Sequence, residues 1–189
     1  MKRIISLILF ICLCVLSFAQ TENIKWSEKE GRYSNYDYGF FWSVDPEYGF
    51  KLMPTQTKHT VFRAEALDGL VVIFVNIQDL GATVDAWEKF ETVKLLGEQS
   101  FEKNYQLTGE RTTKSIYNKV VLSGQHAVKV VYWSRLEGEG FPEPLKFVST
   151  TYKLYKDDYS WSVSIKVIEE MYDESIIQDI ISGFRFIPK

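Results

Sequence analysis

Apolar and polar side chains alternate strictly near the C-terminal end of this chain. In LKFVSTTYKLY (145–155) and the run SWSVSIKV that follows, Asp157-Asp158 falls at the tip of a two-residue loop. Leu154 then faces Trp161, Tyr152 faces Val163, Thr150 faces Ile165 and Val148 faces Val167. Ser160, Ser162, Ser164 and Lys166 occupy the other face. A slip of one residue would set the apolar row of one strand against the polar row of its neighbour, so the pattern fixes the register. The adjacent aspartates are thus read as a bend, a conformation that Asp tolerates, and not as paired catalytic acids.

The same logic places other strands. IYNKVVL and HAVKVVYWSRL flank Ser123-Gly124-Gln125, a tight turn. HTVFRAEAL and GLVVIFVNI flank Asp68-Gly69, a hairpin signal because glycine accepts positive φ. The second of these runs is apolar at nearly every position, which predicts a central strand covered on both faces. Strands are also expected at 39–44 and 48–53, with a turn at Asp45-Pro46 and Gly49. The period changes at Thr83, a candidate N-cap. Val84, Trp87, Phe90, Val93 and Leu96 then follow helical spacing to a stop at Gly97. A polar connection is expected from Lys103 to Lys114. A last helix begins at Asp173, carries Ile176, Ile177, Ile180 and Ile181 as its apolar stripe, and ends at Gly183 before a short strand with Phe184 and Phe186. Antiparallel hairpins with helices packed on the faces of a sheet define an α+β fold.

The first twenty residues, MKRIISLILFICLCVLSFAQ, change the reading of where the protein acts. Lys2 and Arg3 precede an apolar run, and Ser17 and Ala19 sit at the −3 and −1 positions of a cleavage site before Gln20. That is the pattern of a signal peptide over 1–19, too short for a membrane span. A lipid anchor is not expected, because Ile11 and Leu13 precede the two cysteines, Cys12 and Cys14. The expected product is exported, periplasmic or secreted, without a cysteine and hence without a disulfide. It comprises a polar, loosely ordered segment over 20–35 and one α+β domain over 36–189. Loss of Lys2 and Arg3 takes the formal charge from −3 to about −5, which argues against nucleic acid as a partner.

The order of elements resembles the photosystem II extrinsic-protein (PsbP-like) family. The likeness is carried by YGFKLMP (48–54), GLVVIFVNI with its helix, SGQHAVKVVY (123–132) and IIQDIISGFRF near the end, across about 38–187. The resemblance implies a strongly twisted antiparallel sheet in an α/β/α sandwich. Members serve as accessory subunits of photosynthetic complexes, as a small-GTPase-binding factor, or as exported bacterial proteins. The resemblance carries no activity and no functional residue.

Candidate chemistry is sparse. His59 and His126 lie in separate strands without metal-ligand spacing, so no metal and no cofactor are expected. Ser123 lies near His126 but has no nucleophile elbow around it. Gly138 and Gly140 stand among glutamates that would repel phosphate, and the loop lacks the oxygen spacing of a calcium site. Two surfaces remain. The loop 137–144 frames Phe141 with Glu137, Glu139 and Glu143, and either presents an aromatic to a partner or is a solvated hairpin loop with Phe141 folded onto the core. The N-terminal aromatics Tyr33, Tyr36, Tyr38, Phe40, Phe41, Trp42 and Tyr48 either form a stacking platform for sugars or pack the sheet with hydroxyls at the rim. The expectation is a non-enzymatic binding or accessory domain that engages another envelope or secreted protein, with a carbohydrate-binding module using Trp42 and Tyr38 as the alternative.

Overall fold

The described residues build two antiparallel sheets that face each other. A computed structural model describes residues 23–55, 57–137 and 143–188. The expected signal peptide and cleavage site, and the loop residues Glu139 and Phe141, therefore lie outside the described residues. The smaller sheet is formed by β1 (Ile24–Ser27), β2 (Arg32–Asn35), β3 (Phe40–Ser43) and, from the other end of the chain, β11 (Phe184–Phe186), in the order β1-β2-β3-β11. The larger sheet comprises β4 (Lys51–Leu52), β5 (Thr60–Ala66), β6 (Val71–Asp79), β7 (Glu110–Leu122), β8 (Gln125–Leu136), β9 (Leu145–Lys156) and β10 (Tyr159–Ile168). Its order is β4-β5-β6-β10-β9-β8-β7, so the last hairpin returns to lie beside β6. Helix α1 (Phe90–Thr108) joins β6 to β7, and α2 (Glu174–Ser182) precedes β11. The fold is α+β, as the sequence predicts.

The β9–β10 hairpin has the predicted register, with Leu154 opposite Trp161, Tyr152 opposite Val163, Thr150 opposite Ile165 and Val148 opposite Val167. Asp157 and Asp158 take φ of 52° and 64°, the left-handed pair that a two-residue hairpin turn requires. Ser123 and Gly124 form the corresponding turn between β7 and β8, at φ 49° and 77°.

Elsewhere the structure corrects the sequence reading. The segment 20–35, expected to be loosely ordered, contains β1 and β2. Tyr33 is buried there against Phe62, with ring centroids 4.2 Å apart, and its hydroxyl donates to the Val61 carbonyl at 2.8 Å. The strand expected at 48–53 shrinks to Lys51–Leu52, because Asp45 caps a 3-10 turn over Pro46–Tyr48 by accepting the Glu47 N–H at 2.9 Å. Helix α1 begins seven residues after Thr83. The Thr83 hydroxyl donates instead to Asp158 Oδ1 at 2.6 Å, and Asp85 accepts the Trp87 and Glu88 N–H groups at 2.8 and 3.2 Å. Gly97 does not end the helix. A Cβ there would lie 2.7 Å from the Tyr117 hydroxyl, so glycine permits close packing on β7, and the helix runs on to Gly109 at φ 75°. The polar stretch from Lys103 is thus its last turns and the start of β7. In α2, Ile177, Ile180 and Ile181 are buried as predicted, whereas Ile176 is exposed.

The core lies between the sheets. Phe40, Trp42 and Tyr33 from the small sheet meet Phe62, Ile73, Leu154, Trp161 and Ile165 from the large one, closed by α2 and Phe184. On the opposite face, Val93 and Ala86 pack on Val128 and Val130 of β8 in a smaller cluster. The turn into β11 tolerates no side chain: a Cβ on Gly183 would stand 1.6 Å from the Ser43 carbonyl oxygen and 2.7 Å from its carbon. Gly183→Ala is therefore expected to cost more than about 3 kcal/mol in a urea melt. Gly124→Ala, with open space around it and positive φ, is expected to cost only about 1 kcal/mol.

Candidate functional site

The face of β6 turned away from the small sheet was expected to be covered and is not. Val72, Phe74 and Asn76 alternate with fully buried neighbours and stay only half-buried. Register explains what surrounds them. One row across β5, β6, β10 and β9 reads Glu65, Val72, Lys166, Ser149; the next reads Arg63, Phe74, Ser164, Thr151; the third reads Thr60, Asn76, Ser162, Lys153. On β10, Ser162 and Ser164 are buried in hydrogen bonds with Lys153 and Thr151, whereas the β5 and β6 positions stay half-open. Over β5 and β6, bounded by Phe147 and Lys166, lies an open trough of about 430 Å³.

The trough has two ends. Leu70, Val72 and Phe147 line one, and Thr57, Thr60 and Asn76 the other, with Phe74 between them. At the polar end, Thr57 and Thr60 share a hydrogen bond at 2.8 Å, and the Thr60 hydroxyl donates to Asn76 Oδ1 at 2.8 Å. Both cations on the walls are paired. Lys166 Nζ donates to the two Glu110 oxygens at 2.8 and 2.7 Å and lies 4.3 Å from the Phe147 ring centroid. Ser134 adds a hydrogen bond to Glu110 at 2.5 Å. Arg63 donates to Glu65 through Nε at 3.1 Å and through a second nitrogen. Beside the trough, Lys153 donates to Ser162, and burial lowers its pKa.

The apolar end is bounded by a strained turn. Leu67, Asp68 and Gly69 take φ of 51°, 55° and 86° in succession, a conformation costly for Leu. It leaves Leu67 54% and Leu70 42% exposed.

Of the residues expected from sequence to bind a partner, Trp42, Tyr38, Glu137 and Glu143 are described, and none of these four lines this trough. Trp42 is only 1% exposed, and its indole N–H donates to the Ile180 carbonyl at 2.8 Å. Phe40 and Tyr33 are buried with it, because the small sheet lays this face on the large one. The aromatic platform is therefore interior packing. Tyr38, 37% exposed, and Tyr36 remain accessible, beside a shallow cleft with Lys156 and Tyr159. Glu137 is exposed and 3.1 Å from Arg135 Nε, and Glu143 is exposed. Glu139 and Phe141 lie outside the described residues. Sequence reasoning missed the trough because its lining is drawn from β5, β6, β9 and β10, which only the sheet order brings together.

Ser123 and His126 are engaged separately. Ser123 Oγ accepts the Phe186 N–H at 2.9 Å. His126 lies parallel to Trp87, with centroids 3.7 Å apart and planes within 5°, and its Nδ1 is 2.7 Å from Asp85 Oδ2. The Trp87 indole N–H is shared between the Val120 and Ala127 carbonyls at 3.0 and 3.1 Å. This cluster fastens the segment before α1 onto β7 and β8. Among the described residues, no three His, Cys, Asp or Glu side chains stand together as a metal site.

The solution structure of cyanobacterial PsbP from Synechocystis sp. PCC 6803 superposes on this chain with a TM-score of 0.59, over 89% of this chain and 95% of that one, at 11% identity. The fold is PsbP-like. A crystal structure from Bacteroides thetaiotaomicron covers 79% of this chain and 46% of its own, at a TM-score of 0.45 and 7% identity. No family model and no curated protein matches the sequence. Among the described residues, no helix is long and apolar enough to cross a membrane.

The Asp85 carboxyl is held below its ordinary pKa by the His126 hydrogen bond and the backbone N–H groups that it accepts. A depressed carboxylate contributes stability that is present above its ordinary pKa, about 4, and lost as pH falls through the lowered value. Asp85→Asn is expected to lower Tm at pH 7, with the gap to the unaltered protein closing below about pH 4. A gap independent of pH in calorimetry would show that Asp85 acts through shape alone.

Proposed function

We propose that this protein is an exported binding or accessory domain that holds a segment of another envelope or secreted protein in the trough of its large sheet. The observation that carries this reading is the half-open face of β5 and β6 in that sheet. Central strands place Val72 and Phe74 at a half-open surface, and two leucines stand exposed at its end. Surfaces of this kind mark sites of interaction. The ionisable groups of the trough are held in opposite-charge pairs, an arrangement that fixes shape and does not activate a nucleophile. The signal-like pattern of residues 1–19 supplies the compartment. The PsbP-like fold agrees with an accessory role by analogy of architecture alone. The carbohydrate alternative has less to rest on, because Trp42 and Phe40 belong to the core.

A photo-cross-linking amino acid at Leu70 or Asn76 tests the reading in intact cells of the source organism. The expected result is one discrete protein adduct from the trough positions and none from Lys29, on the turn between β1 and β2. Equal or absent labelling from all three positions would overturn it. Mass analysis of the same material is expected to find Gln20 as the first residue.

A further inference from the structure

The trough contains charges but offers no net charge. Lys166 is matched by Glu110 through both carboxylate oxygens, and Arg63 is matched by Glu65 through two nitrogens. An acidic group entering the trough would have to compete with these carboxylates for cations that they already hold. It would also lose its hydration beside two like charges. A cationic group meets the same closed pairs from the other side.

What the trough leaves unmatched is apolar surface and a few neutral polar groups. Leu70, Val72 and Phe147 form the apolar end. At the other end, Thr60 occupies Asn76 Oδ1, so the Nδ2 amide of Asn76 is the donor left for a ligand. The two kinds of surface are separated along β6, from Val72 to Asn76, a span of about 13 Å for four strand residues. The left-handed residues 67–69 keep Leu70 at the apolar end, and backbone strain of that kind persists only where the surroundings enforce it.

We propose that the trough selects an uncharged, amphiphilic partner segment, seating an apolar side chain against Leu70, Val72 and Phe147 and a hydrogen-bonding group at Asn76, and that the Glu110–Lys166 and Glu65–Arg63 pairs set this selectivity by cancelling the cations. The inference rests on the reading of the trough as the recognition surface. It adds the chemistry of the segment that fits there.

Two small probes separate neutral from anionic recognition. N-phenyl-1-naphthylamine and 1-anilinonaphthalene-8-sulfonate share one aromatic skeleton and differ by a sulfonate. With the isotope-labelled protein, the neutral probe is expected to shift the amide signals of Val72, Phe74, Ser164 and Lys166, and to bind at least about fivefold more tightly than the sulfonate. Glu110→Gln removes the charge that cancels Lys166, and is expected to move the affinity ratio toward the sulfonate by about tenfold. Glu65→Gln does the same through Arg63 and serves where the first variant fails to fold. Glu137→Gln, at an exposed pair away from the trough lining, is expected to leave the ratio unchanged.

Equal binding of the two probes, shifts confined to the Tyr36–Tyr38 cleft, or a ratio unmoved by both trough variants would each overturn the inference. Cross-links from the trough without any neutral preference would remove this inference and leave the partner-binding reading standing. A neutral preference without cross-links would keep the selectivity of the trough and remove the protein partner.

Discussion

The indole of Trp42 is the point at which both sheets and both ends of the chain meet. Its N–H donates to the Ile180 carbonyl, so it joins β3 to α2. Its ring lies 5.6 Å from Phe62 of the large sheet and 5.7 Å, edge-on, from Phe184 of β11. On the small sheet it stands opposite Tyr33 on one side and Phe184 on the other. Removing an aromatic side chain of this size from a core costs about 3–5 kcal/mol, a large share of the roughly 5–15 kcal/mol that holds a domain together. The small sheet closes only when residues near the beginning and end of the chain come together, a contact with high loop-closure cost. The packing of Trp42 makes that closure favourable, and in doing so it commits α2 to the core side of the large sheet, against β8 and β9.

Among the described residues, that commitment leaves α1 alone on the other face. Seven strands at about 4.8 Å spacing make a sheet close to 29 Å wide, while a helix with its side chains is only about 10–12 Å across. One helix packed on β7 and β8 therefore cannot reach β6. Gly97 draws α1 close to Tyr117 and so fixes it toward that edge. The strands between respond in their sequence: β10 carries Ser162 and Ser164 on this face, buried in hydrogen bonds with Lys153 and Thr151, and only β5 and β6 stay half-open. The trough is the consequence of a helix allocation decided on the opposite side of the molecule.

Legibility in the sequence followed the range of the interaction. The β9–β10 register could be read because two adjacent segments with period two admit one pairing that buries a whole face. The last helix could be read because Asp173 and Gly183 bracket a clear apolar stripe. The start of α1 could not: Thr83 is drawn to Asp158, Asp85 caps only the turn at Trp87 and Glu88, and the helix opens at Phe90 without a side-chain cap. Gly97 misled for a related reason: glycine marks helix ends and close helix packing alike. The N-terminal aromatics gave no sign of which layer would cover them. The trough was least visible, because its rows combine β5, β6, β9 and β10, and only the sheet order brings those segments together.

The electrostatics of the trough agree with those of the whole chain. A protein with formal charge −3, and more acidic without Lys2 and Arg3, repels anionic partners at long range. An anion site would need unmatched cations strong enough to overcome that field, yet Arg63 is matched by Glu65 on the same strand and Lys166 by Glu110 of β7. Pairs of this kind add little to stability, since desolvation offsets most of their attraction. Their effect is on the surface they leave behind: the Lys166 ammonium lies 4.3 Å from the Phe147 ring centroid and is held by Glu110, so its charge is already spent when a partner arrives. Selectivity against charge is then built from charges, and it depends on the same strand register that opened the trough.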